Sequence, residues 1–156
     1  MEQDKKFLKE AIFQAEKSFE RGGFPAGAVV VKDGEIIAEG ISLGVILNDP
    51  TEHSETSAIR KACQKLKTTN LSDCTLYAAL QPCLMCFSMA NWAGIPRIVY
   101  GCKKTDEMVR KNYYEGSNKI EEVNGKNNRQ IELNYIGNFE NKCLDIIKQW
   151  ENPLGR

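Results

Sequence analysis

The chain has 156 residues, of which 42% are hydrophobic and 27% are charged, and this ordinary composition excludes an intrinsically disordered protein. Its 21 basic and 21 acidic residues give a formal net charge of zero, which removes the simplest electrostatic argument for a polyanionic partner. The sequence contains no apolar run of the roughly 18 residues that a membrane helix needs, and its charged start is not a signal peptide. The scattered spacing of its cysteines predicts free thiols in a reducing compartment, and hence a cytoplasmic protein.

Apolar residues at helical spacing predict amphipathic helices in several parts of the chain. These helices are expected at residues 5–20, 53–66, 83–93 and 139–150, with a short one at about 106–114. Apolar, partly β-branched runs predict strands. The strands are expected at residues 28–31, 36–38, 74–80, 97–101 and 130–136, and a loop is expected at 40–50. A turn at Asp33-Gly34 joins the first two strands as a hairpin.

Strands with helices between them predict a three-layer α/β/α sandwich around a five-stranded mixed sheet. Neither an internal repeat nor a domain linker interrupts the pattern. We therefore expect residues 1–156 to form a single domain.

Two short motifs carry side chains that bind metals. The first contains His53, the only histidine of the chain, followed two residues later by Glu55. The second contains Cys83 and Cys86, three residues apart. One imidazole nitrogen and two thiolates supply three ligands for a tetrahedral zinc ion and leave the fourth position open for water. An open position is typical of catalysis, so these motifs predict a zinc hydrolase.

Both motifs are expected at helix N-termini, where the helix dipole favours the thiolate form that binds metal. Pro82 suits the first turn of a helix, where its missing N–H costs nothing. Zinc lowers the pKa of a bound water towards ~7, so a nearby carboxylate is able to shuttle a proton to a leaving group. The sequence predicts this role for Glu55.

Taken alone, each motif has a commoner explanation. A lone Cys-x-x-Cys is more often a redox pair or half of a structural zinc site, and a lone His-x-Glu has little specificity. A structural site would recruit a further cysteine, but the others lie among apolar neighbours and are expected to be buried thiols. These other cysteines are Cys63, Cys74, Cys102 and Cys143.

The combined pattern, His53-Ser54-Glu55 with Pro82-Cys83-Leu84-Met85-Cys86, resembles the zinc-dependent cytidine-deaminase superfamily and its H-x-E…P-C-x-x-C signature. The resemblance covers about residues 5–101 well. It implies Zn²⁺ held by His53, Cys83 and Cys86, with Glu55 as the proton shuttle, and hydrolytic loss of an exocyclic amine as ammonia. Within the superfamily, the branch with parallel fourth and fifth strands fits best, and it includes guanine, tRNA adenosine and cytosine deaminases.

Two residues depart from the pattern of this superfamily. Ser42 stands where an asparagine usually contacts the base or ribose, and Ser54 stands where alanine is usual. Ser54 is expected either to cap its helix or to line the pocket. Phe24 and Trp92 are candidates to sandwich a heterocycle, with core packing the alternative for Trp92. Glu115 lies where guanine-specific relatives place an acidic contact.

The leading hypothesis is a deaminase of a small-molecule nucleobase or nucleoside, with guanine as the first choice. A tRNA adenosine deaminase is the alternative, although residues 103–129, the most basic stretch, carry only seven basic against five acidic side chains. A cytosine or cytidine deaminase and an inactive zinc scaffold that binds a ligand complete the hypotheses. The resemblance also implies a homodimer.

Overall fold

The computed structural model describes residues 1–154. Its helices are α1 (Glu2–Glu20), α2 (Gly44–Leu47), α3 (Ser54–Leu66), α4 (Leu84–Trp92), α5 (Asp106–Arg110), α6 (Ile120–Lys126) and α7 (Glu140–Glu151). Its strands are β1 (Phe24–Lys32), β2 (Glu35–Ser42), β3 (Cys74–Ala78), β4 (Arg97–Tyr100) and β5 (Glu132–Tyr135). A 3₁₀ helix, Gly137–Phe139, leads into α7.

The strands form one mixed sheet in the order β2-β1-β3-β4-β5. Strand β1 pairs antiparallel with both β2 and β3, whereas β3–β4 and β4–β5 are parallel pairs. The parallel pairs follow from the chain: a helix lies between β3 and β4 and others lie between β4 and β5, and a parallel strand needs such a crossover. The prediction of parallel fourth and fifth strands is confirmed.

Helices cover both faces of the sheet. On one face, α3, α4 and α6 pack on residues such as Val30, Leu76 and Ile98. On the other, α1, α5 and α7 pack on the intervening positions, among them Val29 and Val99. Successive side chains of a strand point to opposite faces, so a strand buried on both faces is apolar at consecutive positions. The predicted three-layer α/β/α sandwich is confirmed.

Close packing of α1 on the sheet depends on Gly27. A Cβ atom at this position would lie 2.2 Å from the carbonyl oxygen of Ala11 and 2.2 Å from the amide nitrogen of Ala15. Only a residue without a side chain allows the backbones of β1 and α1 to approach so closely. The start of β1, which lines the cavity described below, is thereby fixed against a long helix.

The first two strands are longer than predicted, since β1 begins at Phe24 and β2 extends to Ser42, and two segments differ in the type of element. The expected loop at 40–50 contains the short helix α2, and the expected helix at 106–114 ends at Arg110 and is followed by α6. Helix α2 has only four residues, too few to show the repeated apolar spacing by which a helix is predicted. Helix α5 stops because Asn112 adopts a left-handed backbone conformation, with φ of 63°.

Three of the four cysteines outside the second motif are buried as predicted, and Cys63 is not. Cys74, Cys102 and Cys143 are buried and Cys63 is half-buried, and within residues 1–154 every cysteine is a free thiol. Across the same residues, no helix combines the length and the apolar character needed to cross a membrane.

Candidate active site

Three side chains from two helix starts converge on one point. The Nδ1 atom of His53 lies 3.5 Å from the Sγ atom of Cys83 and 3.5 Å from the Sγ atom of Cys86. All three ligand atoms lie within 4.8 Å of one another. Zinc bonds of about 2.05 Å to nitrogen and about 2.3 Å to sulfur, at a tetrahedral angle, would separate the two atoms by about 3.6 Å. The described side chains therefore fit a zinc ion.

The ligands sit slightly earlier in their helices than the sequence predicts. His53 and Cys83 are the N-cap residues of α3 and α4, both with extended backbone, and Cys86 follows in the first turn of α4. Pro82 therefore precedes the cap, and its predicted position in the first turn is wrong. The hydroxyl of Thr56 accepts a hydrogen bond of 2.9 Å from the amide of His53, which fixes the start of α3.

The two thiols titrate as a pair. Hydrogen bonding with Cys86, and then with His53, lowers the pKa of the Cys83 thiol to about 6. The same contact with Cys83, together with burial, raises the pKa of Cys86 well above its usual value. The hydrogen bond with Cys83 also raises the pKa of His53. The lowered pKa of Cys83 favours its thiolate, which is the form that binds zinc.

Glu55 lies in the first turn of α3, buried beside the ligand cluster and lining the cavity. Burial, and then the charge of Cys83, raise the pKa of its carboxyl to about 7, whereas a hydrogen bond from Ser54 acts in the opposite direction. A carboxyl with a pKa near neutrality takes up and releases protons readily at physiological pH. Glu55 thus combines the position and the chemistry of a proton shuttle.

A cavity of about 940 Å³ opens over the ligand cluster. Its lining comes from the β1 and β2 ends, the α2 loop, the two helix starts, the segment 111–115 and Trp150 of α7. This volume is at the upper end of the range for small-molecule sites, roughly 300–1,000 Å³. The cavity therefore has room for a nucleobase and for an attached sugar.

Phe24 and Ser42, two of the predicted substrate contacts, face each other at the cavity as paired residues of β1 and β2. The hydroxyl of Ser18 holds both ends: it donates to the carbonyl of Phe24 at 2.6 Å and accepts from the amide of Ser42 at 3.0 Å. The structure thus brings both residues to the site.

Glu115, a third predicted contact, also lines the cavity but already has partners. Its carboxylate accepts hydrogen bonds from the amides of Leu84 at 3.2 Å and Met85 at 3.0 Å, so it caps α4 from another part of the chain. Burial opposes its ionisation, but these amide hydrogens outweigh burial and lower the pKa of the Glu115 carboxyl. Glu115 therefore stabilises the start of α4, the helix that carries Cys83 and Cys86.

The other two predicted contacts do not line the cavity. Ser54 is fully buried, and its hydroxyl donates to Oε1 of Glu55. It does not cap α3, because His53 occupies that position. Trp92, at the end of α4, is 87% exposed, so the alternative of core packing is wrong and the side chain lies away from the lining residues.

Sequence reasoning found Phe24 but missed Trp150 in the aromatic wall of the cavity. The rings of Phe24, Tyr113 and Trp150 pack together with centroids 5.1–5.6 Å apart. The carboxylate of Glu151 accepts hydrogen bonds from Lys111, at 2.8 Å, and from the Tyr113 hydroxyl, which ties segment 111–115 to the end of α7. Trp150 shows in the sequence only as part of the apolar stripe of its helix.

Sequence comparison adds independent information. Residues 1–102 match the family model of the cytidine and deoxycytidylate deaminase zinc-binding region. The chain is 46% identical over 101 residues to guanine deaminase of Bacillus subtilis (strain 168), a match that covers 64% of this chain and 65% of that protein. It is 42% identical over 94 residues to a tRNA-specific adenosine deaminase of Aquifex aeolicus (strain VF5), covering 60% and 62% of the two chains. Each match spans less than two thirds of the curated relative.

Solved structures resemble the chain over a greater length. The guanine deaminase of Bacillus subtilis is 35% identical with a TM-score of 0.67, covering 95% of this chain and 93% of that one. A structure from studies of A-to-I editing by tRNA:A34 deaminases is 30% identical with a TM-score of 0.78, covering 91% of this chain and 99% of that one. Together with the family match and the geometry of the ligand cluster, these likenesses identify the chain as a member of the cytidine and deoxycytidylate deaminase zinc-binding family.

Proposed function

We propose that the protein is a zinc-dependent hydrolase that removes an exocyclic amine from a nucleobase or small nucleoside, with guanine the first choice. The observation that carries the proposal is the buried carboxyl of Glu55 beside a His53–Cys83–Cys86 cluster that fits zinc, at the base of a ligand-sized cavity. When bound, zinc would supply a water molecule with a lowered pKa.

The residues of the chain would bind the metal and transfer the protons. His53, Cys83 and Cys86 would hold the metal next to the cavity. In hydrolytic deamination the water oxygen bonds to the ring carbon and the carbon–nitrogen bond breaks. One hydrogen of the water ends on the neighbouring ring nitrogen and the other on the departing ammonia. Glu55, buried in the first turn of α3 and lining the cavity, is placed to carry both protons.

The charges around the cavity support a small uncharged substrate over RNA. Within the described lining, Lys111 is the one lysine or arginine, and its ammonium group pairs with Glu107 at 3.0 Å and Glu151 at 2.8 Å. The lining also carries the acidic residues Asp49, Glu52, Glu55 and Glu115. Binding of a phosphate backbone depends on unpaired Lys and Arg side chains, and the described lining offers none.

The similarity to tRNA adenosine deaminases supports a second candidate function, the deamination of adenosine in a tRNA loop. A tRNA loop carries phosphates, and the described cavity lining has no unpaired lysine or arginine to bind them, so we expect the loop to be a poorer substrate than a free base. The homodimer, the cytoplasmic location and a single deaminase domain over residues 1–156 stay predictions of the family resemblance and the composition.

The test is an ammonia-release screen with the zinc-loaded protein across purines, pyrimidines, their nucleosides and a tRNA anticodon stem-loop. We expect release from guanine, and turnover confined to the stem-loop would favour the second candidate. Turnover of cytosine or cytidine alone would move the substrate to the pyrimidines. One zinc per chain with no ammonia from any compound would support the inactive scaffold.

The Glu55→Gln variant tests the shuttle directly. We expect it to bind about one zinc per chain as the wild type does and to lose at least 10²-fold in kcat, because proton transfer by a positioned side chain contributes roughly 10²–10⁴-fold. Glu122→Gln, an exposed carboxyl on α6, is the matched control and should leave kcat unchanged. Undiminished turnover in Glu55→Gln would refute the mechanism.

A further inference from the structure

Ser54 connects directly to the group that moves protons. It lies between His53 and Glu55 in the first turn of α3, and it is fully buried. Its hydroxyl donates a hydrogen bond to Oε1 of Glu55. The bond is therefore a feature that an alanine at this position would lack.

The contact is unusual for neighbouring residues of a helix. Side chains at positions i and i+1 of an α-helix diverge by about 100°, so they normally do not face each other. Here both residues lie in the first turn of α3, and the carboxylate of Glu55 turns back to the hydroxyl of Ser54. The bond thus selects one orientation of the carboxylate from those that the first turn permits.

The backbone of Ser54 is fixed in place by close packing against strand β2, so its hydroxyl donates from a defined position. Strand β2 packs against the first turns of α3 at Gly40, where a Cβ atom would lie 2.0 Å from the carbonyl oxygen of Ser54 and 2.7 Å from the amide nitrogen of Ala58. The two backbones thus pack too closely for even a methyl group between them, which leaves α3 little freedom to move relative to the sheet. The donor position is consequently set by the fold.

We propose that Ser54 is a positioning residue for Glu55: its hydroxyl fixes Oε1, so that Oε2 is the oxygen that exchanges protons with water and substrate. This inference rests on the proposed function. The terminal torsion of a glutamate is broad, and a carboxylate without an anchor samples many orientations. Anchoring one oxygen sets the orientation before the substrate arrives, which lowers the cost of reaching the reactive geometry.

The kinetic test uses Ser54→Ala, which removes the hydroxyl and leaves no new bulk. Because the hydrogen bond that orients the Glu55 carboxylate is lost, we expect kcat to fall roughly tenfold or more. The KM should stay within about twofold and the zinc content at one per chain, because the orientation of Glu55 affects the reaction step rather than binding. An unchanged kcat would overturn the proposal.

Ser57→Ala is the matched control. Ser57 belongs to the same helix, is also buried, and lies outside the cavity lining. Removing its hydroxyl should change neither kcat nor KM. An equal fall of kcat in both variants would show a general loosening of α3 and would count against a specific role for Ser54.

A second measurement needs no turnover. Infrared difference spectra between the wild type and Glu55→Gln identify the carboxylate stretching band of Glu55 in the protein without substrate. In Ser54→Ala this band should shift and broaden, since the carboxylate loses a donor and samples more orientations. An unchanged band would show that the hydrogen bond is not made. If the wild type released no ammonia from any compound, the proposed function would fail. The infrared spectra would still show whether Ser54 donates a hydrogen bond to Glu55.

Discussion

Glu115 shows how one side chain changes its role once its partners are known. The sequence suggests a contact with the substrate, whereas the structure gives both carboxylate oxygens to amides of the first turn of α4. The first amides of a helix have no partner within it, and an acidic group there satisfies them and interacts favourably with the helix dipole. Glu115 therefore acts first on the helix that carries Cys83 and Cys86.

We expect Glu115→Gln to lower the free energy of unfolding by about 1 kcal/mol, because a neutral amide replaces one of two acceptors and the charge at the helix start is lost. Urea denaturation of the zinc-free protein measures this change, with Glu122→Gln as the control. The KM of the zinc-loaded variant should remain that of the wild type. Unchanged stability with a raised KM would instead assign Glu115 to the substrate.

The convergence of His53, Cys83 and Cys86, with Glu55 next to them, was predictable from the sequence because it depends on local spacing. Spacing places Cys83 and Cys86 on one side of a helix start, and the single histidine leaves no other imidazole. The walls of the cavity were not predictable. Trp150 meets Phe24 only through the packing of the last helix against the first strand, and an apolar stripe does not distinguish a cavity wall from a core position.

At the scale of elements, helix and strand types followed from periodicity, but short or irregular segments did not. Helix α2 is one turn long and its apolar side chains are exposed, and α6 buries Ile120 within a polar sequence. Both lack the repeated apolar spacing on which such prediction depends. The long helix α1 is the opposite case, with Phe7, Leu8 and Ala11 buried on one stripe.

One polar network joins α1 to the middle of the sheet. Asp4 accepts hydrogen bonds of 2.7 and 2.6 Å from the guanidinium of Arg97 on β4 and one of 2.7 Å from the hydroxyl of Tyr77 on β3. The hydrogen bonds from Arg97, joined by that of Tyr77, hold the pKa of the Asp4 carboxyl at about 2, against the opposing effect of burial. A paired, bidentate carboxylate of this kind stabilises its charged form.

The network predicts how stability depends on pH. The folded-state pKa of Asp4 lies below its unfolded value, so the stabilisation is fully present above about pH 4 and is lost as the pH falls towards 2. The difference between a pKa of 3.8 and one of about 2 corresponds to about 2 kcal/mol.

We therefore expect Asp4→Asn to lower the free energy of unfolding at pH 7 by at least this amount, because Arg97 also loses its charged partner. The difference from the wild type should narrow between pH 4 and pH 2, as measured by denaturant unfolding over that range. Asp145→Asn, an exposed carboxyl on α7, is the control. A constant difference down to pH 2 would contradict the assigned pKa.

Across the whole molecule, the site depends on parts of the chain that are far apart in sequence. Strand β1 supplies Phe24, α3 and α4 supply the ligands and Glu55, and α7 supplies Trp150. A metal held by His53 and the two cysteines would tie the start of α3 to the start of α4 on the same face of the sheet. Metal binding should therefore stabilise the fold as well as the site.

Removal of zinc tests this link. A ligand at about 100 times its Kd adds about 2.7 kcal/mol to the folded state, and for a chain of this size each kcal/mol corresponds to about 2–4 °C in Tm. We expect a strong chelator to lower the Tm of the zinc-loaded protein by roughly 5–10 °C, and added zinc to restore it.

Two variants control for the position of the metal. Cys86→Ser lacks one of the three ligands, so the chelator should not change its Tm. Cys63 lies outside the ligand cluster, so Cys63→Ser should respond to the chelator as the wild type does. An equal response in Cys86→Ser would place the stabilising metal elsewhere, and a wild-type Tm that ignores the chelator would show that the cluster does not join the two helices through a metal.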